Sequence, residues 1–145
     1  MLSLLPVLLT ASGGEWNSRH VPNECTTDVK RLERAVISRR LTLTDWIAFR
    51  NVAKIRVKKG LDGLPGLIGC ADLTNAAAEL RSDPATRSLL RQGRISARDY
   101  IEIGWALLVA YDPETFPTPA SPVVTANIAF VAEHRSDIES LLHDR

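Results

Sequence analysis

Few residues in this chain have the types and spacing that chemistry requires. His134 stands beside Glu133 and Arg135, with Asp137 three residues on, and a histidine next to carboxylates is a pairing that can serve general acid–base catalysis. Helical spacing separates them, however. Glu133 and Asp137 lie four apart and share one face, whereas His134 falls on a stripe with Ile128, Val131, Ile138 and Leu141. That position reads as a core histidine with a satisfied ring nitrogen. His20 and His143 lie toward the chain ends, and no Ser or Cys can be assigned a base and an orienting acid. Asp45 and Asp99 are explained as helix-start carboxylates. The reading leans away from an enzyme, and no catalytic, cofactor-binding or metal-ligating residue is assigned.

Binding chemistry has better candidates. Arg50, Lys54 and Lys58 recur every four residues and form a basic ridge on one helix face, extended by Lys59. Such a ridge can meet phosphate or an acidic partner, and it is also the usual way to solubilise an amphipathic helix. Charge is uneven along the chain: residues 28 to 59 hold ten Lys or Arg against three Asp or Glu, and residues 112 to 145 hold two against six. Either an acidic partner covers the basic segment, or the acidic C-terminal helix lies across it.

Cys25 and Cys70 are the two cysteines. In an oxidising compartment they would form one disulfide, which the chain-entropy model values at roughly 4 kcal/mol for a loop of this size. Their spacing, with no His or second Cys nearby, argues against a metal site. The glycine-rich run GLDGLPGLIG from Gly60 to Gly69 lacks the Lys and Ser/Thr of a phosphate-binding loop, and it reads as a packed loop.

The elements that must position these residues are helical. Thr27 to Arg39 is expected as a first helix, with Val29, Leu32 and Val36 on its buried stripe. A second runs from Thr42 or Thr44 to Lys59, stopped by Gly60, with Trp46, Phe49, Val52, Ala53 and Val57 facing inward. Asp72 caps a helix through Arg81, and Asp83-Pro84 restarts one to Arg91 that Gly93 closes. Ser96 caps the stretch Ser96 to Tyr111, in which Glu102 is the one charge from Tyr100 onward. A helix apolar on nearly every side is either central or spans a membrane, and twelve residues fall short of the about 20 that spanning needs. Prolines at 113, 117, 119 and 122 predict an extended strip, followed by a last helix from about Ala126 to Leu142 capped by Thr125.

The segment Arg40 to Ile47 aligns without gaps on Arg94 to Ile101, pairing Thr42 with Ser96, Asp45 with Asp99 and Trp46 with Tyr100. Each segment supplies a cap, a first-turn carboxylate and an aromatic entering the core. The expected fold is therefore an all-α single domain, an irregular orthogonal bundle of five to six short helices with a candidate duplicated helix-turn-helix unit. Residues 1–13 read as a signal peptide or hydrophobic N-terminal arm, 14–25 as an irregular leader, and 26–145 as the helical domain with a proline-rich loop at 112–124.

The expected function is that of a non-enzymatic exported helical accessory or interaction protein, periplasmic or secreted, with no membrane span once the leader is removed. It would meet a protein partner or acidic surface through Arg50, Lys54, Lys58 and Lys59, or through the proline-rich strip. Two alternatives stand beside it. A nucleic-acid-binding regulator, cytoplasmic in location, would use the basic segment 28–59 with Asn51 at a base edge. A small apolar ligand-binding bundle would use a pocket where Gly104 permits close approach beside Trp105.

Overall fold

The computed structural model describes residues 26–61 and 73–143, with side-chain surroundings from 30 to 61 and from 73 to 141. The leader, Cys25, Cys70, Asp72 and residues 62–69 of the glycine-rich run lie outside the described residues. The described chain is an all-α irregular bundle of seven helices: α1 (Thr26–Ser38), α2 (Leu43–Lys58), α3 (Leu73–Ser82), α4 (Pro84–Gly93), α5 (Ala97–Tyr111), α6 (Pro122–Glu133) and α7 (Arg135–His143). No helix among the described residues is long and apolar enough to cross a membrane.

The bundle is built around α5, which packs on α1, α2, α3 and α6. Its sequence dictates that position, because Ile101, Ile103 to Ala110, Tyr100 and Ala97 are all buried and only neighbours on several sides can keep them from water. Phe49 of α2 stacks on Tyr100 with ring centroids 4.6 Å apart, and Trp46 continues the stack at 6.4 Å from Phe49.

Both repeated segments fold as capping boxes. The Thr42 hydroxyl accepts from Asp45 N while the Asp45 carboxylate accepts from Thr42 N, and Ser96 and Asp99 do the same for α5. Arg39 ties the two helix starts together, donating to Asp99 Oδ1 at 3.1 Å, Glu102 Oε2 at 3.3 Å and Asp45 Oδ1 at 3.4 Å. Burial alone would lower the Arg39 pKa, but the three carboxylates outweigh it and the value rises, so the guanidinium stays charged. Asn127 of α6 closes the same corner. Its side-chain oxygen accepts from Leu41 N and its amide donates to Arg39 O, each over 2.8 Å.

Several expectations are corrected. The bundle has seven helices among the described residues where five to six were expected, chiefly because the last predicted helix is two. It breaks at His134, the C-cap of α6, which is half-buried at the break with its ring 4.4 Å from that of Phe130. Ile128 of the predicted inner stripe is 37% exposed. The start of α6 is also earlier than the expected Thr125 cap. Ser121 accepts from Val123 N and Val124 N, and Pro122 occupies the first helical position, where its fixed φ and missing N–H suit a helix. Residues 122–124 of the expected proline-rich loop are thus helical. Gly93 does not close α4 as a left-handed cap, since Arg94 takes that conformation at φ 56°. Gly93 instead permits contact with α2, where a Cβ added to it would lie 3.2 Å from that of Ala48. Gly60 does take the left-handed conformation beyond α2, at φ 72°.

Candidate functional site

The predicted ridge lies on α2, and the structure divides it. Arg50 NH1 is 2.9 Å from Asp137 Oδ2 of α7, and Asp137 also accepts from Trp46 Nε1 at 2.6 Å. The acidic C-terminal helix therefore does meet the basic segment, at Arg50. The indole hydrogen bond first, then the nearby Arg50 and Lys54 charges, hold the Asp137 carboxyl below the usual aspartate range against the opposing effect of burial. Lys59 is also engaged within the chain: its Nζ lies 3.1 Å from Asp83 Oδ1 at the start of α4. Asp83 caps α4 through Thr86, and those hydrogen bonds, with Lys59, pull its pKa down to about 2.

Lys54 and Lys58 remain on the outer face, half-buried and exposed respectively. They lie in a strip that charge patterning did not reveal. Leu43 is 52% and Ile47 is 40% exposed, the two most exposed large hydrophobic residues among those described. Leu43, Ile47, Asn51, Lys54 and Lys58 advance by four, four, three and four residues, so they line one side of the helix over about 22 Å. The strip is apolar at its N-terminal end and basic at its C-terminal end. A signal for it was present, since Leu43 and Ile47 fall off the stripe of Trp46, Phe49, Val52 and Ala53, all four of which are buried.

Arg56 lies on the buried stripe instead of the ridge. It is 1% exposed, donates to Thr86 Oγ1 at 3.2 Å and approaches Glu79 Oε1 at 3.7 Å, so it braces α2 against α3 and α4. Its spacing of four from Val52 and seven from Phe49 is the signal that identifies it as inward-facing. With Lys59 on Asp83 and Gly93 against Ala48, these contacts set α2 and α4 antiparallel.

Gly104 and Trp105 are buried on α5. Trp105 meets Phe116 edge-on with centroids 6.1 Å apart, and Phe116, from the proline-containing connection, is 0% exposed. Part of the surplus apolar face of α5 is thus covered by the chain's own connection to α6. Asp137, three residues after His134 in sequence, is committed to Trp46 and Arg50, while Glu139 accepts from Tyr111 OH at 3.2 Å. Comparison of the chain with protein-family models, curated proteins and solved structures finds no match.

Proposed function

We propose that the chain is an exported helical interaction protein whose contact face is the outer strip of α2. Export rests on the apolar run from Leu2 to Leu9 and the small residues that follow it. The observation that carries the interaction reading is the exposure of Leu43 and Ile47 one turn apart, on a helix whose other side is anchored in the core by Trp46, Phe49, Val52 and Ala53. Single exposed apolar residues are ordinary on protein surfaces, but an apolar pair continued along the same line by Lys54 and Lys58 has the mixed character of a docking strip. Arg50 and Lys59 support it from within, one on α7 and one on α4.

A photo-reactive phenylalanine placed at Ile47, with Arg91 on α4 as the control position, tests the reading in cells that make the protein. A protein adduct at 47 and none at 91 is the expected result. Adducts at neither position, or equal labelling at both, would overturn it. An adduct removed by nuclease would favour the nucleic-acid alternative, which uses the same Asn51, Lys54 and Lys58.

A further inference from the structure

The interaction face proposed above also indicates the shape and charge of what it receives. The partner inference rests on that reading. Two features of the strip limit the occupant. It follows one helical line from Leu43 to Lys58, with the exposed carboxylate of Asp137 from α7 near Lys54 at one side, so it suits a partner that presents a single line of side chains in return. It also changes from apolar to basic along its length, which requires apolar groups opposite Leu43 and Ile47 and carboxylates opposite Lys54 and Lys58.

The molecule contains an intramolecular example of that chemistry beside the strip. α7 is a short helix with Ile138 buried and Asp137 turned toward α2, where the carboxylate lies 2.9 Å from Arg50 NH1 and within the field of Lys54. One point on the side of α2 is thus already met by a carboxylate of the chain itself, and the neighbouring strip carries the further cations Lys54 and Lys58 with an apolar start. We infer that the strip receives a second acidic amphipathic helix, supplied by a partner protein, lying along α2 with two apolar residues on Leu43 and Ile47 and two carboxylates on Lys54 and Lys58.

The probe is a 16-residue stapled helical peptide with two Leu one turn apart and two Glu spaced to reach Lys54 and Lys58, followed by fluorescence anisotropy against the full chain at low and high salt. A sequence-scrambled peptide, a peptide with Lys in place of Glu, anionic lipid vesicles and a DNA duplex complete the series. The Glu peptide is expected to bind the wild type and to lose at least about tenfold in affinity with Leu43→Ser/Ile47→Ser. With Lys54→Glu/Lys58→Glu the Glu peptide should be released and the Lys peptide captured, and the Arg91→Ser control should leave both affinities unchanged. All substituted side chains are at least partly exposed, and a thermal melt on each variant confirms that it folds. Equal binding of the scrambled peptide, no peptide binding to the wild type, or stronger binding of vesicles or duplex with the same residue dependence overturns the inference. If a protein adduct still forms at position 47 in that case, the interaction reading stands and only the acidic helix is lost.

Discussion

The Trp46 indole donates to Asp137 Oδ2 across 2.6 Å, joining side chains 91 residues apart in the sequence. The two ends of this bond differ in character, because Trp46 is 1% exposed while the Asp137 side chain is 46% exposed. Asp137 therefore gives a buried donor its partner from the surface, and the same carboxylate holds Arg50 against α7.

Removing that acceptor should cost more than removing its charge. Asp137→Ala is expected to destabilise the fold by about 1–3 kcal/mol, since it deprives a buried indole N–H of its partner. Asp137→Asn retains an acceptor and loses only the partly exposed pair with Arg50, so its cost should be about 0–1 kcal/mol. Urea unfolding of the two variants checks the order. Asp137→Asn should also release Arg50 toward the α2 strip and strengthen binding of the Glu peptide.

Asn127 makes a larger structural contribution. It is 2% exposed and serves both a backbone N–H and a backbone carbonyl of the α1–α2 turn. Asn127→Ala should lower stability by about 2–4 kcal/mol by removing both partners. Asn127→Asp, which can accept from Leu41 but cannot donate to Arg39 O, should also destabilise; chemical denaturation of the three proteins tests both expectations.

The end of α4 gives a pair of opposite predictions. Arg94→Gly should raise stability by about 0.5–1 kcal/mol, because the left-handed conformation is unfavourable for a residue with a Cβ. Gly93→Ala should lower stability by about 1 kcal/mol, as the gain in helix propensity is outweighed by crowding against Ala48. Calorimetric melting of each single variant gives the sign directly.

Acid should unfold the protein through its cap and bridge carboxyls. Asp83, Asp99 and Asp137 all have pKa values below the ordinary aspartate value: Asp83 through Thr86, Asp137 through Trp46, and Asp99 through Ser96 and Arg39 acting against burial. A folded-state pKa below the unfolded one means that the stabilisation is complete above the unfolded value of about 3.9 and is lost as pH falls through the folded values. Stability measured by urea titration should therefore be flat from pH 7 to about 5 and decline from about 4 toward 2. Ser96→Ala and Thr86→Val should flatten that decline, because each removes a hydrogen bond that favours the ionised carboxyl.

Helix identity was legible wherever a local rule acts alone. Thr42, Asp83 and Ser96 mark the starts of α2, α4 and α5, and the absence of a polar face identified α5 as central. The misreadings came where two rules compete. Pro122 belonged equally to a proline-rich strip and to a helix start, and Ser121 decides for the helix. The apolar period of the last helices runs through His134 without interruption, so the break there is not visible in spacing. On α2, charge periodicity grouped Arg50, Lys54 and Lys58, whereas tertiary contacts commit Arg50 to α7 and leave Leu43 and Ile47 in water. Which cation is paired depends on residues up to 87 positions away, and one helix's pattern does not contain that information.

The contact face of α2 is tested most directly by the affinity of the protein captured at position 47 for two folded variants, Leu43→Ser/Ile47→Ser on α2 and Arg87→Ser/Arg91→Ser on α4. At least about a tenfold loss with the first and an unchanged value with the second is predicted, corresponding to about 1.4 kcal/mol or more of binding free energy residing in the strip. Undiminished affinity of the α2 variant would contradict the assignment of that face.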